Sequence, residues 1–136
     1  MEDPPSEEAT EEATTVTITI NNIGASAWEV TSVDGADLGD ISDGASENPA
    51  LTLTVGTRYR FVNNGGINAH PLGFQNASSD YLLRQDGMGT LEGDSAINYT
   101  EDDDGVTFTY TQALADDVAT YICTFHSSME GDIQAN

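Results

Sequence analysis

The segment Tyr121-Ile122-Cys123-Thr124-Phe125-His126-Ser127-Ser128-Met129 holds the only cysteine of the chain, one of its two histidines and its last methionine. Their spacing is Cys-x-x-His-x-x-Met. The other histidine, His70, lies far upstream in Asn68-Ala69-His70-Pro71-Leu72. A thiolate, two imidazoles and a thioether are the donors of a blue-copper electron-transfer site, in which a His₂Cys plane is completed by a weak, long axial Met. Taken singly, each residue has a blander use. A lone Cys is most often a small buried hydrophobe, and Met fills gaps in cores. The combination points elsewhere, because three scarce ligand types fall within seven residues. The candidate metal ligands are therefore His70, Cys123, His126 and Met129, holding one copper ion, provided His70 folds back to meet the others.

Competing chemistries fit the residues less well. A cysteine hydrolase needs a His base and an orienting third group beside its nucleophile. His126 is too close in sequence to Cys123 to be a convincing base, and no third group is evident. Zinc takes four strong ligands, and Met is a poor fourth. A binuclear copper site needs a second Cys, and a multicopper oxidase needs His-x-His pairs; both are absent. Near the motif only Glu130 and Asp132 could do acid–base work, and they read more simply as surface charges. The donor set leaves no open position for a substrate, so a carrier is expected rather than an enzyme. The alternative from another class is a copper-binding or delivery module, or a surface interaction domain.

The charge balance bounds the partners. Among 136 residues there are 24 Asp and Glu against three Arg and no Lys, for a formal net charge of −21. Phosphate binding requires Lys and Arg, so nucleic acid is excluded as a partner. Adsorption to an anionic membrane surface is disfavoured for the same reason. Self-repulsion of this size destabilises a compact state at low ionic strength, a lever associated with halophiles. In molar salt the Debye length falls to about 3 Å and the repulsion is screened. One cysteine cannot form an intramolecular disulfide. No apolar run approaches the roughly 20 residues that cross a bilayer. No signal peptide is read at the start, since Met1 leads straight into acidic sequence.

The elements that must position the ligands can be read in order. Residues 1–13 carry six acids and two prolines without an aromatic, the composition of a disordered acidic tail. A single domain is expected over residues 14–136. Val16, Ile18 and Ile20 alternate with polar residues, as a strand with one buried face. Ala27–Val30, Leu51–Val55, Arg58–Val62 and Val106–Tyr110 read as further strands, with Trp28 as a core anchor. Residues 34–47 form a solvated acidic loop; their aspartates do not follow the calcium-loop pattern. Asn63-Asn64-Gly65-Gly66 is a strong turn signal delivering the chain to His70. Pro71 makes the following segment an edge or a strand start. Tyr81-Leu82-Leu83 is a short helix or strand, residues 101–105 a solvated turn, and residues 112–117 a short helical turn. Ala119–Cys123 is the last long strand before the ligand loop, and Gly131–Gln134 returns as a short one. Asn76-Ala77-Ser78 and Asn98-Tyr99-Thr100 are glycosylation sequons compatible with surface loops. Seven or eight short strands with regular turn signals favour an all-β sandwich, with Cys123 at one strand end and His70 approaching from a neighbour.

With these residues in place, the chain resembles the cupredoxins, the small blue copper proteins. Its acidity is similar to that of the halocyanin-like members from salt-loving archaea. Cys123-x-x-His126-x-x-Met129 resembles the short-loop, amicyanin type, and the resemblance covers about residues 14–136. It implies a Greek-key sandwich and a one-electron carrier that serves redox partner proteins as a monomer. It also implies an extracytoplasmic site of work, at the cell surface or tethered to the membrane through the acidic N-terminal segment. His70, Cys123 and His126 would be the equatorial ligands and Met129 the axial one. Many cupredoxins carry Asn after the first His, bracing the Cys loop; here that residue is Pro71. By the same resemblance His126 is the exit ligand, ringed by an apolar patch of Phe125, Leu72 and Met88, and His70 is the inner one.

Overall fold

A computed structural model describes residues 15–136; the acidic segment 1–13 lies outside the described residues. Among the described residues ten strands form two five-stranded sheets. In chain order they are β1 (Thr15–Ile23), β2 (Ala27–Asp34), β3 (Leu51–Leu53), β4 (Arg58–Asn63), β5 (Leu72–Asn76), β6 (Tyr81–Arg84), β7 (Thr100–Asp102), β8 (Gly105–Thr109), β9 (Val118–Cys123) and β10 (His126–Ala135). Among the described residues two short helices interrupt them, α1 (Leu38–Ile41) and α2 (Gln112–Asp117). The first sheet has the order β2-β1-β4-β8-β7 and the second β3-β10-β9-β5-β6. Pairing is antiparallel except for β1 with β4 and β10 with β3.

Period-two alternation explains which side chains meet. Val16, Ile18 and Ile20 of β1 face inward, as do Tyr59 and Phe61 of β4. From the second sheet Leu72 and Phe74 of β5 and Tyr121 of β9 meet them. Phe61, Phe74 and Phe108 form the aromatic centre, with ring centroids 5.2–5.8 Å apart. Fully burying a side chain of this size contributes about 1.5–3 kcal/mol. The sheets thus close over one apolar interior, as an all-β sandwich requires.

The strand count exceeds the seven or eight expected. Glu101 and Asp102, read as part of a solvated turn, fall in β7, a fully exposed edge strand paired to β8 around Asp103-Asp104. Its side chains carry no apolar alternation, so the pattern could not disclose it. Within the acidic loop 34–47, residues 38–41 close into α1 and bury Ile41. Tyr81-Leu82-Leu83 falls in strand β6, and residues 112–117 form α2, capped where Thr111 Oγ1 accepts from the Leu114 N–H at 3.1 Å. Pro71 does precede a strand start, but β5 itself is internal, flanked by β9 and β6.

Among the described residues few of the acids stand in ion pairs. Setting aside the six in residues 2–12 leaves 18 against three Arg. Among the described residues the ion pairs are Arg60–Asp102 at 3.2 Å and Arg84–Asp86 at 2.9 Å. Arg58 spends its guanidinium on the carbonyls of Ile97 and Asn98 and the Thr109 hydroxyl instead. Screening should therefore relieve repulsion without breaking much. The metal-free protein is expected to melt at a higher temperature as NaCl rises from low to molar concentration, by about 3–5 °C for each kcal/mol gained. A flat or falling series would reject the halophilic reading.

Candidate metal centre

Three of the four candidate ligands converge at one end of the sandwich. The ligand atoms of His70, Cys123 and His126 lie within 4.8 Å of one another. The Cys123 sulfur is 3.7 Å from His70 Nδ1 and 3.5 Å from His126 Nδ1. The two imidazole rings sit 4.9 Å apart, tilted by 40°. With metal bonds of about 2.0 Å to nitrogen and 2.3 Å to sulfur, donors at those separations subtend angles of roughly 110–120° at a shared ion. Those angles lie between tetrahedral and trigonal values, so the sulfur and either imidazole nitrogen are placed to share one ion, and the three residues together could hold a metal ion. Met129 is buried close by and could offer a soft fourth donor.

The local folding that achieves this starts at the β9–β10 turn. Cys123 ends β9, and after Thr124-Phe125 the chain pairs again at once, His126 opposite Cys123. The ligand loop is thus tighter than the strand bounds read from the sequence imply, and the terminal strand begins at His126 rather than Gly131. The next pair is Glu130 with Ile122. Ser127, Ser128 and Met129 are therefore extra residues in a bulge, which re-aims side chains locally. Ser127 and Ser128 point outward and Met129 is fully buried. The bulge is tied down where Asn48 Nδ2 donates to the Ser128 carbonyl at 3.1 Å and Ser128 Oγ to the Ala25 carbonyl at 3.2 Å. Beyond it, Gly131 lies against the Tyr121 hydroxyl, where any Cβ would collide. That hydroxyl donates to the Pro49 carbonyl at 2.5 Å, so Tyr121 clamps β9 to the loop before β3.

His70 arrives from the other direction. Its N–H donates to the Gly66 carbonyl at 2.8 Å, so the Asn63–Gly66 turn sets its height. A Cβ on Gly65 would sit 3.2 Å from the His70 Cβ and 3.3 Å from the Trp28 ring, a close approach that favours glycine. The Trp28 and His70 rings pack edge-to-face with centroids 6.3 Å apart, and His70 is only 8% exposed. Burial, and then the nearby His126, lower the His70 pKa from its ordinary value, which favours the neutral ring that can donate to a metal. Burial pushes the Cys123 thiol up, while the backbone N–H groups of Phe125 and His126 donate to its sulfur and favour the thiolate. Those two donors are already aimed at the charge a metal-bound thiolate would carry.

The apolar rim requires a correction. Phe125 is 58% and Met88 87% exposed, but Leu72 is fully buried. It faces the core in phase with Phe74, opposite Cys123 in the register of β5 and β9. Leu72 therefore belongs to the floor under the site and not to its exposed edge. His126 is half-buried and His70 buried, so the more accessible ring is the one on the Cys loop.

Residues unnoticed in the sequence also build the site. Asn63 and Gln85 are almost wholly buried polar side chains beside His70, and Asn48 holds the Met129 bulge. Asn63 could have been found: it continues the inward phase of Tyr59 and Phe61. No family model matches this chain, and no curated protein sequence or solved structure does.

Proposed function

We propose that this chain is a type 1 copper protein, with a Greek-key sandwich of the cupredoxin kind, that carries single electrons between redox partner proteins. The observation that carries the reading is the convergence of His70, Cys123 and His126 donor atoms within 4.8 Å, with Met129 buried beside them. Copper bound there would supply a one-electron couple in which a thiolate and a weak thioether suit both oxidation states. The protein's part is to hold the donors still. The bulge keeps Met129 facing inward, Trp28 and the Asn63–Gly66 turn hold His70, and the Phe125 and His126 N–H groups hold the sulfur. A site fixed from three sides rearranges little when charge changes, which is what rapid electron exchange needs.

His126, half-buried beside exposed Phe125, is the side from which a partner reaches the centre. On this reading the chain is a monomeric carrier rather than an enzyme. It works in an extracytoplasmic, salt-rich setting, where screening removes long-range steering and apolar contact matters more. Voltammetry of the copper-loaded protein tests the reading. A reversible one-electron wave supports a carrier, whereas binding of Cu(I) without clean cycling would identify a delivery module instead.

A further inference from the structure

We propose that Asn63 and Gln85 are positioning residues of the metal centre, taking over the bracing of the His70 segment; the inference rests on the copper reading above. Every backbone group of His70-Pro71-Leu72 can be traced. The His70 N–H donates to the Gly66 carbonyl at 2.8 Å, and its carbonyl accepts from Asn63 Nδ2 at 2.6 Å. Pro71 has no N–H, and its carbonyl accepts from the Thr124 N–H at 2.9 Å, one residue past Cys123. The Leu72 N–H donates to Gln85 Oε1 at 3.1 Å, and the Leu72 carbonyl accepts from the Gln85 N–H at 2.7 Å. Two of these five bonds are made by side chains, and those side chains also bond each other: Asn63 Nδ2 donates to Gln85 Oε1 at 2.8 Å.

The pair is rigid because it is anchored at both ends. Asn63 Oδ1 accepts from the Gly65 N–H at 2.9 Å, holding the turn that leads to His70. Gln85 Nε2 donates to the Asp102 carbonyl at 3.0 Å, on β7 of the opposite sheet. Asn63 is 3% and Gln85 1% exposed, so neither can exchange its partners for water. A buried polar group left unpaired costs about 1–3 kcal/mol, which fixes this arrangement against alternatives. Because Pro71 offers no side-chain donor or acceptor, the register of His70 against Cys123 depends on this pair together with the His70–Gly66 and Pro71–Thr124 bonds. Outer partners of metal ligands that fix ligand orientation govern affinity and potential.

The test compares the parent with Gln85→Leu, Gln85→Glu and Asn63→Ala. A protonated Glu keeps an acceptor for the Leu72 N–H and a donor toward the Asp102 carbonyl; Leu keeps neither. Three readouts are taken: hydrogen exchange at the Leu72 amide in the metal-free protein, the Cu(II) dissociation constant, and the thiolate-to-copper spectrum with its reduction potential. Positioning predicts faster Leu72 exchange in Gln85→Leu, roughly 10–100-fold weaker copper binding and a shifted spectrum and potential. It also predicts that Gln85→Glu restores parent behaviour. Asn63→Ala should weaken copper binding similarly even if Gln85→Leu fails to fold. Lower melting temperatures with spectrum, potential and affinity unchanged would overturn the proposal, leaving a purely structural pair. A parent without the blue band would sink the copper reading instead, while the exchange data would still decide whether Gln85 braces Leu72.

Discussion

Cys123→Ser is expected to abolish the intense thiolate-to-copper band completely while leaving the sandwich folded. The colour depends on sulfur, and serine offers only a hard, weak donor. Copper affinity should fall by more than the roughly 10–100-fold typical of outer partners, since a direct ligand is lost. Folding should survive for a structural reason. A buried hydroxyl costs about 1–3 kcal/mol when unpaired. Here the Phe125 and His126 N–H groups that point at the sulfur can donate to the Ser oxygen, and the His70 and His126 nitrogens lie nearby. The cost therefore belongs at the low end of that range. Absorption of the Cu(II)-loaded variant, with far-ultraviolet dichroism as the folding control, checks both halves. A variant that stays blue would remove Cys123 from the site.

Leu72→Asp and Phe125→Asp should behave in opposite ways, although the sequence suggested one shared patch. Leu72 is fully enclosed between the sheets next to Cys123 in register. A carboxylate there has no cation partner, and an uncompensated buried charge costs about 3–5 kcal/mol. That is a large share of the ~5–15 kcal/mol that holds a domain together. The variant should lose much of its folded population and its metal site with it. Phe125→Asp, on the surface, should change stability by no more than about 0.5 kcal/mol and leave the blue band intact. Its effect falls on electron self-exchange, where two copies would bring like charges together at the contact face. In molar salt, where the general repulsion is screened, exchange should still slow severalfold or more. Melting curves and self-exchange rates of both variants decide the matter. A stable blue Leu72→Asp would contradict the buried placement, and unchanged exchange in Phe125→Asp would reject docking beside His126.

The features legible in the sequence share a physical basis. Strands that bury one face announce themselves by alternation, so β1, β4 and β8 could be read directly from Val16–Ile20, Tyr59–Phe61 and Val106–Phe108. Scarce soft donors announce themselves by type, so His70, Cys123, His126 and Met129 could be singled out before any fold was known. The edge strand β7 could not, because all three of its residues are exposed and polar. Leu72 was misplaced by its nearness in sequence to His70, although its phase with Phe74 points it inward. The brace formed by Asn63 and Gln85 was hidden for a different reason. Asn63 looks like part of an Asn-Gly turn, and nothing local to Gln85 marks it as buried. Their roles come from long-range hydrogen bonds, over separations of 7 to 22 residues, that only the packed sheets create.

The most direct test of the central claim is a Cu(II) titration of the metal-free protein followed by visible absorption. The account predicts an intense blue band that grows to one equivalent of copper and then stops. It also predicts loss of that band on reduction and its return on reoxidation. A protein that binds copper without the thiolate band, or binds none, would contradict a site built from His70, Cys123, His126 and Met129.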